Sequence, residues 1–402
     1  MYNFIHLDFK GITPAKEELC RFLKWFRSIG FNGVVLEYDC RLAWRSWPGA
    51  GTPLFSETEI REIGEYIHQL GLECVPLIQS IGHLGWALHE ERYAAIREMG
   101  EETELCPLHP DSLPKIMSWL DEAIELHPYS RYIHLGADES THLGSCPRCR
   151  AAASPENPLK NYLHHVSQLC RHALEQGRRP MIWSDMLWNY PDAAKALPPE
   201  TILVNWQYRG EAPFPYITEL QRSGREVWGA SALQCMSPSY EASCMTNLSE
   251  RIKNVRSWQN SGLNLIHTTW GRPNNFWTLY PPWAGLIPVF AAAGGTPDED
   301  AGKYFFSMFD QWQSFSKQQE ELRREFHLLT DSRCSRKTVR RKYGCISDFV
   351  ETECEEQYEQ LARRIAEWKQ VVSEFFKKHE LSDAAEFIES RTAFFCPPSR
   401  DE

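Results

Sequence analysis

Two adjacent carboxylates, Asp138 and Glu139, close the alternating apolar run RYIHLGADES, Arg131 to Ser140. Paired acids are the usual equipment for cleaving a glycosidic bond, which needs a proton delivered to the leaving oxygen and stabilisation of an oxocarbenium-like carbon. Most two-carboxylate sites set the acids across the bond from each other. Neighbours on a strand point to opposite faces, so this pair cannot flank a bond symmetrically unless the strand is already breaking into its loop. Adjacent acids suit a different division of labour: the substrate's own 2-acetamido oxygen attacks, one acid orients the acetamide, and the other protonates the leaving group.

Other residues that could do chemistry end similar runs. His6, Asp8 and Lys10 close the first run, Glu37, Tyr38 and Asp39 the second, and Gln79 the third, followed by Gly82 and His83. Trp183 and Asp185, then Trp206 and Tyr208, then Trp270 end later ones. Polar and aromatic groups alternating around one rim suit a carbohydrate, whose ring offers a C–H face to an indole and hydroxyls at its edge to acids and lysines. Taken singly, each of these tryptophans could equally be core.

The elements that must position these groups follow from periodicity. Short β-branched or aromatic runs alternate with amphipathic stretches eight times: Phe4 to Lys10, Gly33 to Asp39, Cys74 to Ser80, Tyr132 to Asp138, Pro180 to Asp185, Ile202 to Tyr208, Glu226 to Leu233 and Leu263 to Trp270 are the predicted strands. Between the first two, Leu19, Leu23, Phe26 and Ile29 recur at helical spacing up to Gly30. The stretch after Phe55 opens with Ser56 and Glu59, a capping box, and closes at Gly71. Repeated β-then-α units predict a parallel sheet, and eight of them predict an α/β fold, a (β/α)8 TIM barrel, ahead of an open doubly wound sheet. In such a barrel the C-terminal strand ends form one surface, and that is where the residues above fall.

Past Gly295 the strand signal stops. Helices are expected over Tyr304 to Leu329, Asp348 to His379 and Asp383 to Phe395, so the chain reads as a catalytic barrel over 1–295 and a helical region over 296–402. Tyr358, Leu361, Ile365, Trp368 and Val372 share one face, expected to pack on the barrel or to form a homodimer seam.

Composition excludes several classes. The 402 residues carry a net charge of -11, with Lys and Arg scattered among acids, which argues against nucleic acid and anionic membrane as partners. No long apolar run or basic leader is present, and the 13 cysteines, odd in number, suggest reduced thiols; a cytoplasmic protein is expected. Cys146 and Cys149 form a C-x-x-C pair. His142, His164, His165 and Cys170 lie nearby in sequence, but no second C-x-x-C or H-x3-H accompanies the pair, so a loop-closing turn or labile disulfide is expected, with no metal and no cofactor. The sequon at Asn247 is expected to be idle without a secretion signal.

The segment YIHLGADES, with its His, Gly and Asp-Glu in this order, resembles the fourth-strand signature of family 20 glycoside hydrolases, the β-N-acetylhexosaminidases. VPLIQSIGHLGWAL resembles the third-strand segment, and HLDFKG, LEYD, IWSDM, Trp206-Gln207-Tyr208 and TTW are similar to the intracellular hexosaminidase D branch, so that the likeness covers about residues 3 to 290. It implies that Glu139 is the general acid and then base, and that Asp138 holds the acetamide N–H and the oxazolinium charge. It further implies that Trp183, Trp206 and Trp270 wall the pocket, that Tyr208 meets the acetamide oxygen, that Asp8, Lys10 and Asp185 contact hydroxyls, and that His83 shapes the pocket. Lys10 stands where secreted members carry an Arg, and a Lys cannot make the same bidentate contact. WGASALQ lacks their seventh-strand Tyr, leaving Tyr240 as a second choice. The implied activity is a retaining exo-hydrolysis of terminal GlcNAc or GalNAc. An acetamido-sugar hydrolase acting on chitin-like or sulfated substrates, its choice set by the loop from Ile81 to Asp111, and a non-catalytic sugar-binding barrel are the alternatives.

Overall fold

Eight strands lie parallel in the computed structural model, which describes residues 1–10, 13–154, 156–234, 248–270, 299–332, 352–382, 384–393 and 395. They are β1 Asn3–Asp8, β2 Gly33–Glu37, β3 Glu73–Pro76, β4 Tyr132–His134, β5 Arg179–Trp183, β6 Ile202–Trp206, β7 Val227–Gln234 and β8 Leu265–Thr269. β1 pairs with both β2 and β8, and the ladder continues from β8 through β7, β6 and β5 to β4. The remaining seam, between β3 and β4, is closed by a parallel bridge at Leu77 and His134 and by the Ile78 N–H donating to the His134 carbonyl at 2.9 Å. This is the expected (β/α)8 barrel.

Every predicted strand is present, but most stop short. β4 ends at His134 rather than Asp138, β2 at Glu37, β3 at Pro76 and β6 at Trp206. For β2 and β4 the reason lies in the next residues: Asp39, and Gly136, Ala137 and Glu139, have positive φ, which a strand cannot accommodate. The chain leaves the ladder where its polar rim begins.

Side chains from one face of each strand fill the barrel. Phe4, Val35, Val75, Met181, Val204, Trp228 and Ile266 belong to a single buried cluster, together with Trp183 and Trp270. The capping box is formed as expected. The Glu59 N–H donates to Ser56 Oγ at 3.2 Å and the Ser56 N–H to Glu59 Oε2 at 2.8 Å, starting the helix Glu57–Gln69.

The chain divides into two compact units: the barrel unit, which takes in Leu19–Pro273, and a second one to which Ile12–Glu18 and Glu299–Glu402 belong. Three described helices, Glu299–Ser332, Thr352–Lys378 and Ala384–Thr392, make up most of the second. The apolar face picked out by periodicity is taken by its own neighbours: Tyr358, Leu361, Ile365, Trp368 and Val372 are all buried, the Trp368 indole N–H donates to the Phe315 carbonyl at 3.0 Å, and Tyr358 stacks on Phe395. Among the described residues, no helix is long and apolar enough to cross a membrane.

Candidate active site

Asp138 and Glu139 follow β4 on a segment of unusual backbone. Gly136, Ala137 and Glu139 have φ of 59°, 70° and 48°, conformations that cost energy for residues other than glycine and that collect at functional sites. The surroundings hold this segment in place. The Tyr162 hydroxyl donates to the Ala137 carbonyl at 3.1 Å, and the Glu139 N–H donates to Asp185 Oδ2 at 2.9 Å. A Cβ at Gly136 would fall 2.0 Å from Gln79 Oε1, so the segment that follows β3 packs directly against this turn.

The kink gives the acids unequal settings. Asp138 is buried, whereas the Glu139 side chain is 53% exposed and lines an open cleft. His83 lies between them, its Nε2 3.3 Å from Asp138 Oδ2 and 3.4 Å from Glu139 Oε2. The charge of Asp138 does most to raise the His83 pKa, to about 10, overcoming the burial that opposes it. His83 is therefore an imidazolium at neutral pH. The other carboxylate oxygen, Asp138 Oδ1, is buried with no hydrogen-bond partner among the described residues. Buried acceptors are rarely left so.

The cleft encloses about 680 Å³ and is lined by His83, Thr103, Glu104, Glu139, Ser140, Thr141, Asp185, Met186, Trp188 and Trp206. That is room for a sugar or small glycoside. Trp206 reaches Asp185 Oδ1 through its indole N–H at 3.3 Å, and Trp188 packs on it at 4.8 Å between ring centroids. Desolvation, reinforced by the charge of Asp138, raises Asp185 to about 7. Asp185 thus anchors the Glu139 backbone and the aromatic wall together.

Behind the cleft lies a second polar group. Lys10 Nζ contacts Glu37 Oε1 at 2.6 Å, Asp8 Oδ1 at 3.0 Å and Asp39 Oδ2 at 3.0 Å. Glu37 also meets His6 at 2.9 Å and the Gln79 amide at 2.8 Å. Burial pushes the Glu37 carboxyl up, but Lys10 and His6 outweigh it and hold the pKa well below the usual range. Asp39, buried beside other acids, is raised to about 7.

The structure places the remaining sequence-derived residues as follows. Trp183 is fully buried between His134 and Trp270, and Trp270 is almost buried, its indole N–H donating to the Tyr208 hydroxyl at 2.9 Å. Tyr208 stacks on Trp206 at 5.1 Å, so Trp183, Trp270, Tyr208 and Trp206 run from the core to the cleft wall. Asp8 and Lys10 sit in the ion cluster rather than among the cleft-lining residues. Tyr240 lies outside the described residues. Sequence reasoning passed over Trp188 and Glu104. Trp188 had a faint signal, an aromatic five residues past Trp183 at the end of β5; Glu104, on the short strand Glu101–Leu105 that pairs antiparallel with Arg97–Glu98, had none.

Comparison with known proteins places this geometry in a lineage. Residues 40–260, just over half the chain, match the family described as glycosyl hydrolase family 20, catalytic domain. Hexosaminidase D of Bos taurus is 27% identical over 310 residues, covering 71% of this chain and 88% of the bovine protein. Hexosaminidase D of Homo sapiens is 28% identical over 324 residues, which is 72% of this chain and 64% of the human one. A β-N-acetylhexosaminidase structure from Bacteroides fragilis has the same fold, with a TM-score of 0.58 at 17% identity over 79% of this chain and 71% of that one.

Proposed function

Because the chain belongs to glycosyl hydrolase family 20, we propose that it is a β-N-acetylhexosaminidase that removes terminal β-linked GlcNAc or GalNAc with retention of configuration. The acetamide oxygen of the substrate attacks C1, the glycosidic bond breaks, and a cyclic oxazolinium forms. Glu139 gives its proton to the departing oxygen and then takes one from the water that reopens the ring at C1.

The observation that carries this reading is the asymmetry of the pair. Asp138 Oδ1 is a buried acceptor with no partner among the described residues, suited to an acetamide N–H, while its Oδ2 is held by His83. Glu139 reaches into the cleft, where a leaving group and then water can meet it. A carboxylate set beside His83 can both orient the acetamide and offset the charge of the oxazolinium. Trp206 and Trp188 offer an apolar face to the sugar, and Asp185 offers a carboxyl at its edge. A reducing, cytoplasmic setting is part of the proposal and fits the unbridged thiols of Cys106, Cys146 and Cys149.

Aryl 2-acetamido-2-deoxyglycosides test the reading. The GlcNAc or GalNAc forms are expected to be hydrolysed, the 2-hydroxy glucoside left intact, and turnover blocked by a thiazoline mimic of the intermediate. Equal cleavage of the glucoside would remove the acetamide from the mechanism, and binding without release would leave a sugar-binding barrel. Glu139→Gln should lower turnover of a natural disaccharide by roughly 10²–10⁴-fold, and of activated aryl glycosides by less. Full activity of that variant on the disaccharide would take the acid role from Glu139.

A further inference from the structure

Beyond the cleft, the C-x-x-C pair is joined by two residues distant in sequence. Cys106 Sγ lies 3.5 Å from the Sγ atoms of both Cys146 and Cys149, and Cys149 Sγ lies 3.4 Å from Glu98 Oε2. All four side chains are buried, and one ligand atom from each falls within 4.8 Å of every other. The three thiols are unbridged. His142, His164, His165 and Cys170, the neighbours in sequence, are not part of the group.

We propose that Cys106, Cys146, Cys149 and Glu98 form a structural zinc site. Zinc bound to sulfur at about 2.3 Å and to a carboxylate oxygen at about 2.0 Å sets tetrahedral ligand atoms about 3.8 Å (S to S) and 3.5 Å (S to O) apart. The observed 3.5 and 3.4 Å separations match that size. The outer contacts fit as well: the Cys149 N–H donates to Cys146 Sγ at 3.3 Å, and the Cys146 N–H donates to Glu98 Oε1 at 2.6 Å, which leaves Oε2 for the metal. Without a cation the arrangement is costly. Glu98 is fully buried, and among the described residues no Lys or Arg forms an ion pair with it; Arg148 Nη1 reaches the group only at Cys106 Sγ, 3.8 Å away.

The site would act on the loop that carries Glu139. Residues 139–145 run from the acid to Cys146, and midway the Thr141 and His142 N–H groups donate to Glu104 at 2.7 and 3.0 Å. Glu104 is two residues before Cys106. A metal here fastens both strands of that wall, the Glu139 loop and the segment bearing Thr103 and Glu104, at one point. Closed coordination by four protein ligands keeps it structural.

The test reads metal and not catalysis, so it stands apart from the proposed activity. Full-length protein purified without chelator and desalted is expected to hold about one zinc per chain by elemental analysis. The Co²⁺-substituted protein should show the strong visible bands and sulfur-to-metal charge transfer of a tetrahedral thiolate site. Cys106→Ser and Cys149→Ser should each lose most of the metal, whereas Cys40→Ser, outside the group, should keep it. If the serine variants do not fold, Glu98→Gln decides by a changed cobalt spectrum. Less than about a tenth of an equivalent of metal in wild-type protein, Co²⁺ spectra without thiolate bands, or a Cys146–Cys149 disulfide in peptide mapping would overturn the proposal.

Discussion

His83 bridges the acid pair, its Nε2 within 3.4 Å of both carboxylates, and its replacement should be readable in the pH dependence of stability. The His83 pKa is raised to about 10 from an ordinary 6.5, so its stabilisation is full below about pH 6.5 and is lost as the pH rises toward 10. The difference in Tm between wild type and His83→Gln should shrink across that window. Asp185 has the same sign in a lower window: raised to about 7, it binds a proton more tightly when folded, so stability falls as the pH rises from about 4 to 7. Titrating Asp185→Asn against wild type should reveal a flatter stability curve there. The acid pair and His83 were legible in the sequence because each follows a strand signal directly. Glu104 and Glu98 were not, since they sit on a short charged ladder, Arg97–Glu98 against Glu101–Leu105, whose run of acids gives no apolar alternation from which to infer what its side chains meet.

At the scale of elements, the eight strands were legible because β-branched runs and helical periods alternate so regularly. Their C-terminal ends were not, because chain that leaves a ladder by way of positive φ keeps the same residue types for a few positions more. The motif Gly82-His83 gains a physical reason from this. A Cβ on residue 82 would lie 2.9 Å from the Asp138 carbonyl oxygen, backbone that cannot step aside as a side-chain tip can. Only glycine lets the segment after β3 approach close enough for His83 to reach the acids. Gly82→Ala should therefore displace the turn at Asp138 and lower kcat by at least ~10-fold, since misplacement of catalytic groups by even about 1 Å is costly. Circular dichroism should stay close to wild type. Unchanged kinetics would show that the turn yields freely and that the close packing is incidental.

At the scale of the whole molecule, the barrel unit contains every cleft-lining residue named above, while the second unit has its own buried face. The sequence disclosed that face through helical spacing, but periodicity says only that a stripe is buried and not by what. Within the second unit, Trp368 meets Phe315, Tyr358 meets Phe395, and Phe375 meets Phe315, so the stripe is satisfied among these helices. A dimer seam would have to use other surface. Trp368→Ala separates stability from chemistry: it deletes a large buried side chain together with its hydrogen bond to the Phe315 carbonyl, a loss of about 3–5 kcal/mol in comparable cores. Scanning calorimetry should find a lowered transition assigned to the helical unit. Turnover of an aryl N-acetylglucosaminide at a temperature below that transition should stay within about twofold of wild type, as additivity of uncoupled sites requires. A parallel fall in kcat would mean that the helices help to hold the cleft and that the two units cannot be treated as separate parts.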